Sequence, residues 1–393
     1  MATHSLKLAL AGVLCITLAG SLVRAGEPFQ FGPRERIAFV GNDFFEHEAD
    51  QCYIETALTT RFPEKNLIFR NLGYSGDTVR ADARCLCAGM GTFGPPEQGF
   101  NRLRDLIAHI QPTIIFVAYG MNESFAGEAG LADFQRGLDR MLDMLAASNA
   151  RIVLLSPIAH QKLPPPLPDP AEHNRSLELY SKAIESTAAK RRYFFIDLFH
   201  NFAPQTTDGI HLNAQGYQQA ADAIDKGLAY PPNLWRVKIS ADGPVDEAVG
   251  TQVRGIGSSP DVLHFSTVDA MLPTSAPVLR ITGLPTGQYE LRAAGLIVGA
   301  GSSAQWAQGV TLANTPGIKQ EEKLRELIVR KNFDFFNDWR AQNDTYILGY
   351  RKHEQGRNAP EMAEFEKLAE EADGQVAQNR VPSPTRYELR LQK

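Results

Sequence analysis

The chain of 393 residues is short of cysteine, of tryptophan and of any surplus of basic charge. Four cysteines in such a length exclude a disulfide-dense scaffold, a device of small domains that this chain is long enough to do without. With 40 Lys and Arg against 45 Asp and Glu, the formal net charge is −5, and no nucleic-acid partner is expected. The apolar run Leu8–Val23 falls short of the ~20 residues of a membrane-spanning helix. Because it follows Lys7 and leads into Val23-Arg24-Ala25, residues 1–25 read as an export signal, with no membrane span after cleavage and a periplasmic or extracellular destination. Loss of Lys7 and Arg24 would take the charge from −5 to −7. Three cysteines then remain. In an oxidising compartment Cys52 pairs with Cys85 or Cys87, or all three stay as buried or free thiols.

Internal repeats are absent too, and the length points to two or three units. Residues 36 to 228 alternate apolar runs ("RIAFVG", "NLIFRNLG", "TIIFVAYG", "RIVLLSPI", "YFFIDLF") with polar stretches of helical spacing such as Ile54–Arg61 and Leu138–Ala147. Near-continuous apolar strands between helices predict a parallel sheet covered on both faces, with ligands beyond the carboxyl ends of the strands. The rigid run Leu163–Pro170, "LPPPLPDP", is expected as a loop walling that pocket. Past Tyr230-Pro231-Pro232 the texture changes. Residues 233–312 hold short alternating runs and predict a small antiparallel β module; residues 313–393 are helical and charged, with "RYELRLQ" returning as a strand. The units are therefore 26–232, 233–312 and 313–393, the last reading as an accessory whose removal spares the first.

No serine stands where the first strand ends; Gly41-Asn42-Asp43 does. The other strand ends carry Ser75-Gly76-Asp77 and Gly120-Met121-Asn122-Glu123, and Asp208-Gly209-Ile210-His211 opens the last helix of the unit. An Asp three residues before a His in a loop can hold the imidazole Nδ1 and leave Nε2 free as a base. A backbone N–H at Gly76 and the amide of Asn122 can together face a developing oxyanion. Each feature alone has a plain alternative, a helix cap or a turn residue; four in chain order, each at a strand exit, form a site.

These blocks resemble the SGNH, or GDSL, hydrolase superfamily over residues 36–228. The first block falls on Gly41–Asp43, the oxyanion glycine on Gly76 in "NLGYSGDT", the third on Gly120–Glu123, and Asp208 to His211 continues "LNAQGY". The resemblance implies a flavodoxin-like α/β/α domain, no metal or organic cofactor, His211 with Asp208 as the base, and Gly76 and Asn122 as the oxyanion hole. It implies an exported hydrolase acting on esters, including O-acyl esters of carbohydrates. Asp43 stands where the family has its nucleophilic serine. Acting as nucleophile on an acyl carbon, it would form a mixed anhydride of high energy; on an alkyl carbon, the oxyanion donors would have no task. As a general base with His211, directing water, it uses the most residues. The alternative is a retired site that binds carbohydrate or a partner without turnover.

Other residues carry weaker signals. Ser75 is a turn residue or a substitute nucleophile, and Asp77 is expected to close the same turn. His47 and Glu48 either reach the pocket or start a solvated helix. His353-Glu354 and Cys85-x-Cys87 lack the further ligands a metal needs. Trp306, Trp339, Tyr346 and Tyr350 are sugar-stacking surfaces or core.

Overall fold

The computed structural model describes residues 27–89, 92–259, 261–341 and 343–392; the expected signal lies outside them. Five apolar runs form a parallel sheet. In chain order the strands are Arg36–Gly41, Ile68–Gly73, Ile114–Ala118, Arg151–Leu155 and Phe194–Ile196, and in space the order is second, first, third, fourth, fifth. This is the flavodoxin-like winding, whose reversal between the first and third strands opens a crevice at their carboxyl ends. Alternate residues feed two cores. Ala38, Val40, Ile115 and Val117 face the helices Pro96–Ile110, Gly127–Ala146 and Ala171–Arg191. Ile37, Phe39, Ile114 and Phe116 face Tyr53–Arg61 and Ala214–Gly227.

Residues 236–311 and the terminal strand Thr385–Leu391 build two sheets enclosing a common core of Val237, Ile239, Phe265, Leu279, Leu291 and Trp306. The module departs from the antiparallel expectation in one pair: Arg236–Ser240 and Val278–Thr282 run parallel. Thr385–Leu391 lies inside the five-stranded sheet, bonded to Val262–Asp269 on one side and Gln288–Ala293 on the other.

The helical tail shares the core of the first domain. Phe335 and Trp339, from helix Pro316–Trp339, and Ala369, from helix Met362–Asn379, belong to the same core as the first sheet. Leu324, Ile328 and Val376 close a smaller cluster around Cys52 and Leu272. Between these contacts Lys331 is fully buried and donates to Glu55, which also accepts from Asn332. The buried faces of these two helices therefore cover the first domain itself. Among the described residues no helix is long and apolar enough to cross a membrane.

Cys52 is a buried thiol outside any disulfide, and the Cys87 side chain lies outside what the structure describes. Cys52 sits at φ 55° in the break between the helices Asp43–Gln51 and Tyr53–Arg61, where its thiol donates to the Ala49 carbonyl at 3.1 Å and receives Asn332 at 3.2 Å. Burial pushes that thiol well above its usual pKa, which keeps it protonated and unreactive. Trp306 and Trp339 are core residues and not a sugar platform.

Candidate active site

The first strand runs into helix Asp43–Gln51 through Gly41 and Asn42, so Asp43 occupies the first helical position at the crevice. Close approach fixes the glycine at the end of the neighbouring strand: a Cβ on Gly73 would lie 2.2 Å from the Glu46 nitrogen, inside the helix that carries Asp43. The next turn, Tyr74 to Asp77, is closed by the Asp77 N–H on the Tyr74 carbonyl at 3.0 Å. Gly76 holds φ +74° there, a conformation side chains disfavour.

Asp43, Gly76, Asn122, Asp208 and His211 come together. His211 Nδ1 donates to Asp208 Oδ2 at 2.6 Å, and the Asp208 carboxylate also accepts the backbone N–H groups of Ile210 and His211. Burial opposes the charge on Asp208, but these hydrogen bonds outweigh it and hold its pKa at about 2. His211 Nε2 is left facing the cleft, 3.8 Å from Asp43 Oδ1, too far for a direct hydrogen bond. Gly76 N–H and Asn122 Nδ2 converge as expected, but on Asp43 itself: they donate to its Oδ2 at 3.2 and 3.4 Å. The carboxylate lies where an acyl oxygen would be held. Asn122 has a shorter bond, 2.9 Å, to the Asp77 carbonyl, which fixes its orientation.

The cleft has about 480 Å³ of empty space, its open mouth included. Asn42, Asp43, His47, Tyr119, Ser156, His160, His211 and Tyr217 are among the residues that line it. Pro157, Ile158 and His160 supply the wall expected from the proline run Leu163–Pro170, which begins too late to reach the cleft. The Asn42 Nδ2 and His160 Nε2 are buried without a protein partner, so a ligand bearing polar groups would satisfy both. Burial, aided by His173, lowers the His160 pKa to about 4 and keeps the ring neutral. Phe125 is 64 % exposed and stands against the His173 ring at 3.9 Å and the His160 ring at 6.3 Å, an apolar surface beside the cleft.

Several supports were not legible as such in the sequence. Glu123 takes the N–H groups of Val79 at 2.8 Å and Gly120 at 2.9 Å, locking the loop that carries Asn122; burial raises its pKa to about 7. Asp77 does more than close its turn: its carboxylate accepts from Arg84 at 2.7 Å and Tyr119 at 2.9 Å. Glu46 accepts the Ser75 N–H and is in turn bound at 3.0 Å by Arg340, whose guanidinium also lies 3.6 Å from the Tyr74 ring centre. The helical tail therefore braces the Gly76 turn. His47 lies four residues past Asp43 on one helix face, and its ring centre is 5.1 Å from that of His211. The i, i+4 spacing from Asp43 was the available signal for it.

Residues 40–219 match the GDSL-like Lipase/Acylhydrolase family, a family of hydrolases acting on esters. Over nearly the whole chain the structure is similar to a gut microbial diltiazem-metabolizing enzyme, with TM-score 0.73 and 16% identity, covering 92% of this chain and 99% of that one. That likeness shows the fold, including the β-sandwich and the helical tail. The chain is also similar to Axe2, an acetylxylan esterase from Geobacillus stearothermophilus, at TM-score 0.39 and 16% identity, covering 51% of this chain and 96% of that one. It is also similar to Est24, a carbohydrate acetylesterase from Sinorhizobium meliloti, at TM-score 0.39 and 14% identity, covering 50% and 99%. No curated protein matches the chain in sequence.

Proposed function

We propose that the protein hydrolyses an O-acyl ester, on a carbohydrate or another small alcohol, by delivering water instead of a serine hydroxyl. The observation that carries this reading is the gap between Asp43 Oδ1 and His211 Nε2: at 3.8 Å it suits a water that bonds to both. His211 accepts a proton from that water as its oxygen attacks the ester carbonyl, and Asp208 stabilises the imidazolium. The oxyanion takes the Gly76 and Asn122 donors once Asp43 releases them, and their long bonds to its Oδ2 make that exchange a small loss. The imidazolium then protonates the departing alkoxide, giving acid and alcohol. Phe125 beside the cleft and the unpartnered Asn42 and His160 suit a substrate with an apolar ring face and polar edges, as a sugar has. Residues 1–25 favour action outside the cytoplasm, and the N-terminus of the mature chain tests that.

A second reading has its own support. Asp43 Oδ2 already fills the oxyanion donors, as expected of a pocket kept for recognition without turnover. A screen of activated esters and acetylated sugars, run beside a serine-directed phosphonate, separates the two. Turnover without labelling, lost by about 10²-fold or more in His211→Ala, supports delivery of water. A labelled serine such as Ser75 overturns that route, and an inert, unlabelled protein leaves recognition as the function.

A further inference from the structure

We propose that Asp43, His47 and His211 form a binding site for a divalent transition-metal ion, with Zn²⁺ as the first candidate. One ligand atom from each of these three half-buried residues lies within 4.8 Å of the others. Asp43 and His47 are one turn apart on helix Asp43–Gln51, and His211 enters from the facing loop. Two imidazoles and one carboxylate are a transition-metal donor set, and three protein ligands facing a cleft leave coordination positions open to water or substrate. Ligand atoms about a tetrahedral Zn²⁺ stand about 3.3 Å apart given bonds of about 2.0–2.1 Å. The 3.8 Å between Asp43 Oδ1 and His211 Nε2 is near that spacing and wide for a hydrogen bond.

What distinguishes this cluster from a chance grouping is how two of the ligands are held. His211 has its Nδ1 engaged by Asp208 at 2.6 Å, which fixes the tautomer and presents Nε2. Asp43 has its Oδ2 engaged by Gly76 and Asn122, which leaves Oδ1 as the coordinating atom. The two donors that would otherwise hold an acyl oxyanion thus act as outer supports of a carboxylate ligand. Serine at position 43 would offer neither the charge nor the second oxygen. In a second grouping, His109, Asp338 and Glu366, the ligand atoms also lie within 4.8 Å of one another, but His109 is exposed and its Nε2 is already paired to Glu366 at 2.8 Å.

Such an ion would keep the hydrolytic reading but take over the part of its base, because His211 Nε2 cannot both hold the ion and accept a proton: the ion would activate the water and supply positive charge for an oxyanion, while Gly76 and Asn122 stay with Asp43. Binding itself does not depend on turnover. The test is calorimetric titration of Zn²⁺ into the chelator-stripped full protein, with Co²⁺ as a visible-absorption probe of coordination. The expected result is one equivalent bound in wild type, weakened about 100-fold or more in His47→Ala and in His211→Ala. Asn122→Ala removes no ligand and should weaken binding about 10-fold. His109→Ala should leave it unchanged, and Mg²⁺ should not compete. Equal binding in wild type, His47→Ala and His211→Ala overturns the site, as does its loss in His109→Ala or an absence of binding in wild type. Ester turnover by stripped protein that binds no Zn²⁺ overturns the metal site and leaves the hydrolytic reading. One bound equivalent with no turnover of any ester does the reverse.

Discussion

The carboxyl edge of the parallel sheet and the β-sandwich are built from different materials. At the sheet edge, polar groups are buried in numbers: Asn42, Glu48, Asn71, Asp77, Arg84 and Ser124 are each at most 6 % exposed, and Arg84 is tied to Asp77, Tyr119 is too, and Arg84 reaches the Leu72 carbonyl at 2.7 Å. The sandwich closes over Phe265, Leu279, Leu291, Trp306 and Leu389, and its buried polar side chains are mainly threonines. Buried ionic networks add little net stability and fix geometry instead, whereas apolar packing does the reverse. The contrast separates the region arranged for chemistry from the region arranged to fold.

The largest test of that separation is removal of residues 313–393. Because the cut takes an interior strand from the sandwich and Phe335 and Trp339 from the sheet's core, the remainder should lose cooperative unfolding in urea altogether. A remainder that unfolds with an unchanged slope per unit surface would make the tail a mere cover. Next in size is Asp43→Ser. It frees the Gly76 and Asn122 donors and places a hydroxyl toward His211, so hydrolysis of an activated acetate should rise about 10²-fold or more, and adding His211→Ala should abolish the gain. An intact but inert variant would show that the edge no longer supports acyl transfer.

Two stability variants sharpen the comparison. Lys331→Ala leaves Glu55 buried without its cation and should cost about 3–5 kcal/mol in urea unfolding. Phe265→Ala should cost a similar ~3–5 kcal/mol through a cavity in the sandwich, yet leave any ester turnover within about twofold. A large loss of turnover in Phe265→Ala would join the two regions functionally. The smallest effects concern pH. His160 has a folded pKa of about 4, below its usual value near 6.5, so its contribution is present above 6.5 and is lost as pH falls through 4. Glu123, raised to about 7, acts oppositely: its contribution is present below its usual 4.5 and is lost as pH rises through 7. His160→Gln and Glu123→Gln should each flatten one flank of the stability profile, by on the order of 1 kcal/mol after solvent screening. An unchanged profile in either variant would remove that residue from the account.

The sheet was legible because strands buried on both faces leave apolar runs that no helix needs, as in "TIIFVAYG", and its winding follows from right-handed connections. The convergence of Asp43, Gly76, Asn122 and His211 was legible because the first three stand at or just past the exits of such runs and His211 follows Asp208 in the loop opening the last helix of the unit. What the sequence did not disclose lies at long range or in orientation. Nothing local says that Asp43 turns its Oδ2 into the donors of Gly76 and Asn122, since that depends on three loops at once. The parallel pair Arg236–Ser240 and Val278–Thr282 is hidden because alternation along a strand does not record its neighbour's direction. Cys52 shows the same limit: its spacing to Cys85 and Cys87 allowed a bridge, while its partner, Asn332, is 280 residues away.

Arg340 carries a consequence for how the molecule comes into being. The parallel sheet has all its strands once residue 196 has left the ribosome, while Phe335 and Trp339 of its core are still to be made. The Gly76 turn is not then finished, because the guanidinium that clamps Glu46 and Tyr74 is synthesised 144 residues later than Ile196, and the interior sandwich strand later still. A nascent chain thus exposes every strand of the sheet long before the residues that brace the site, so competence to bind at the Asp43 crevice waits for Arg340 and does not come with the first folding step.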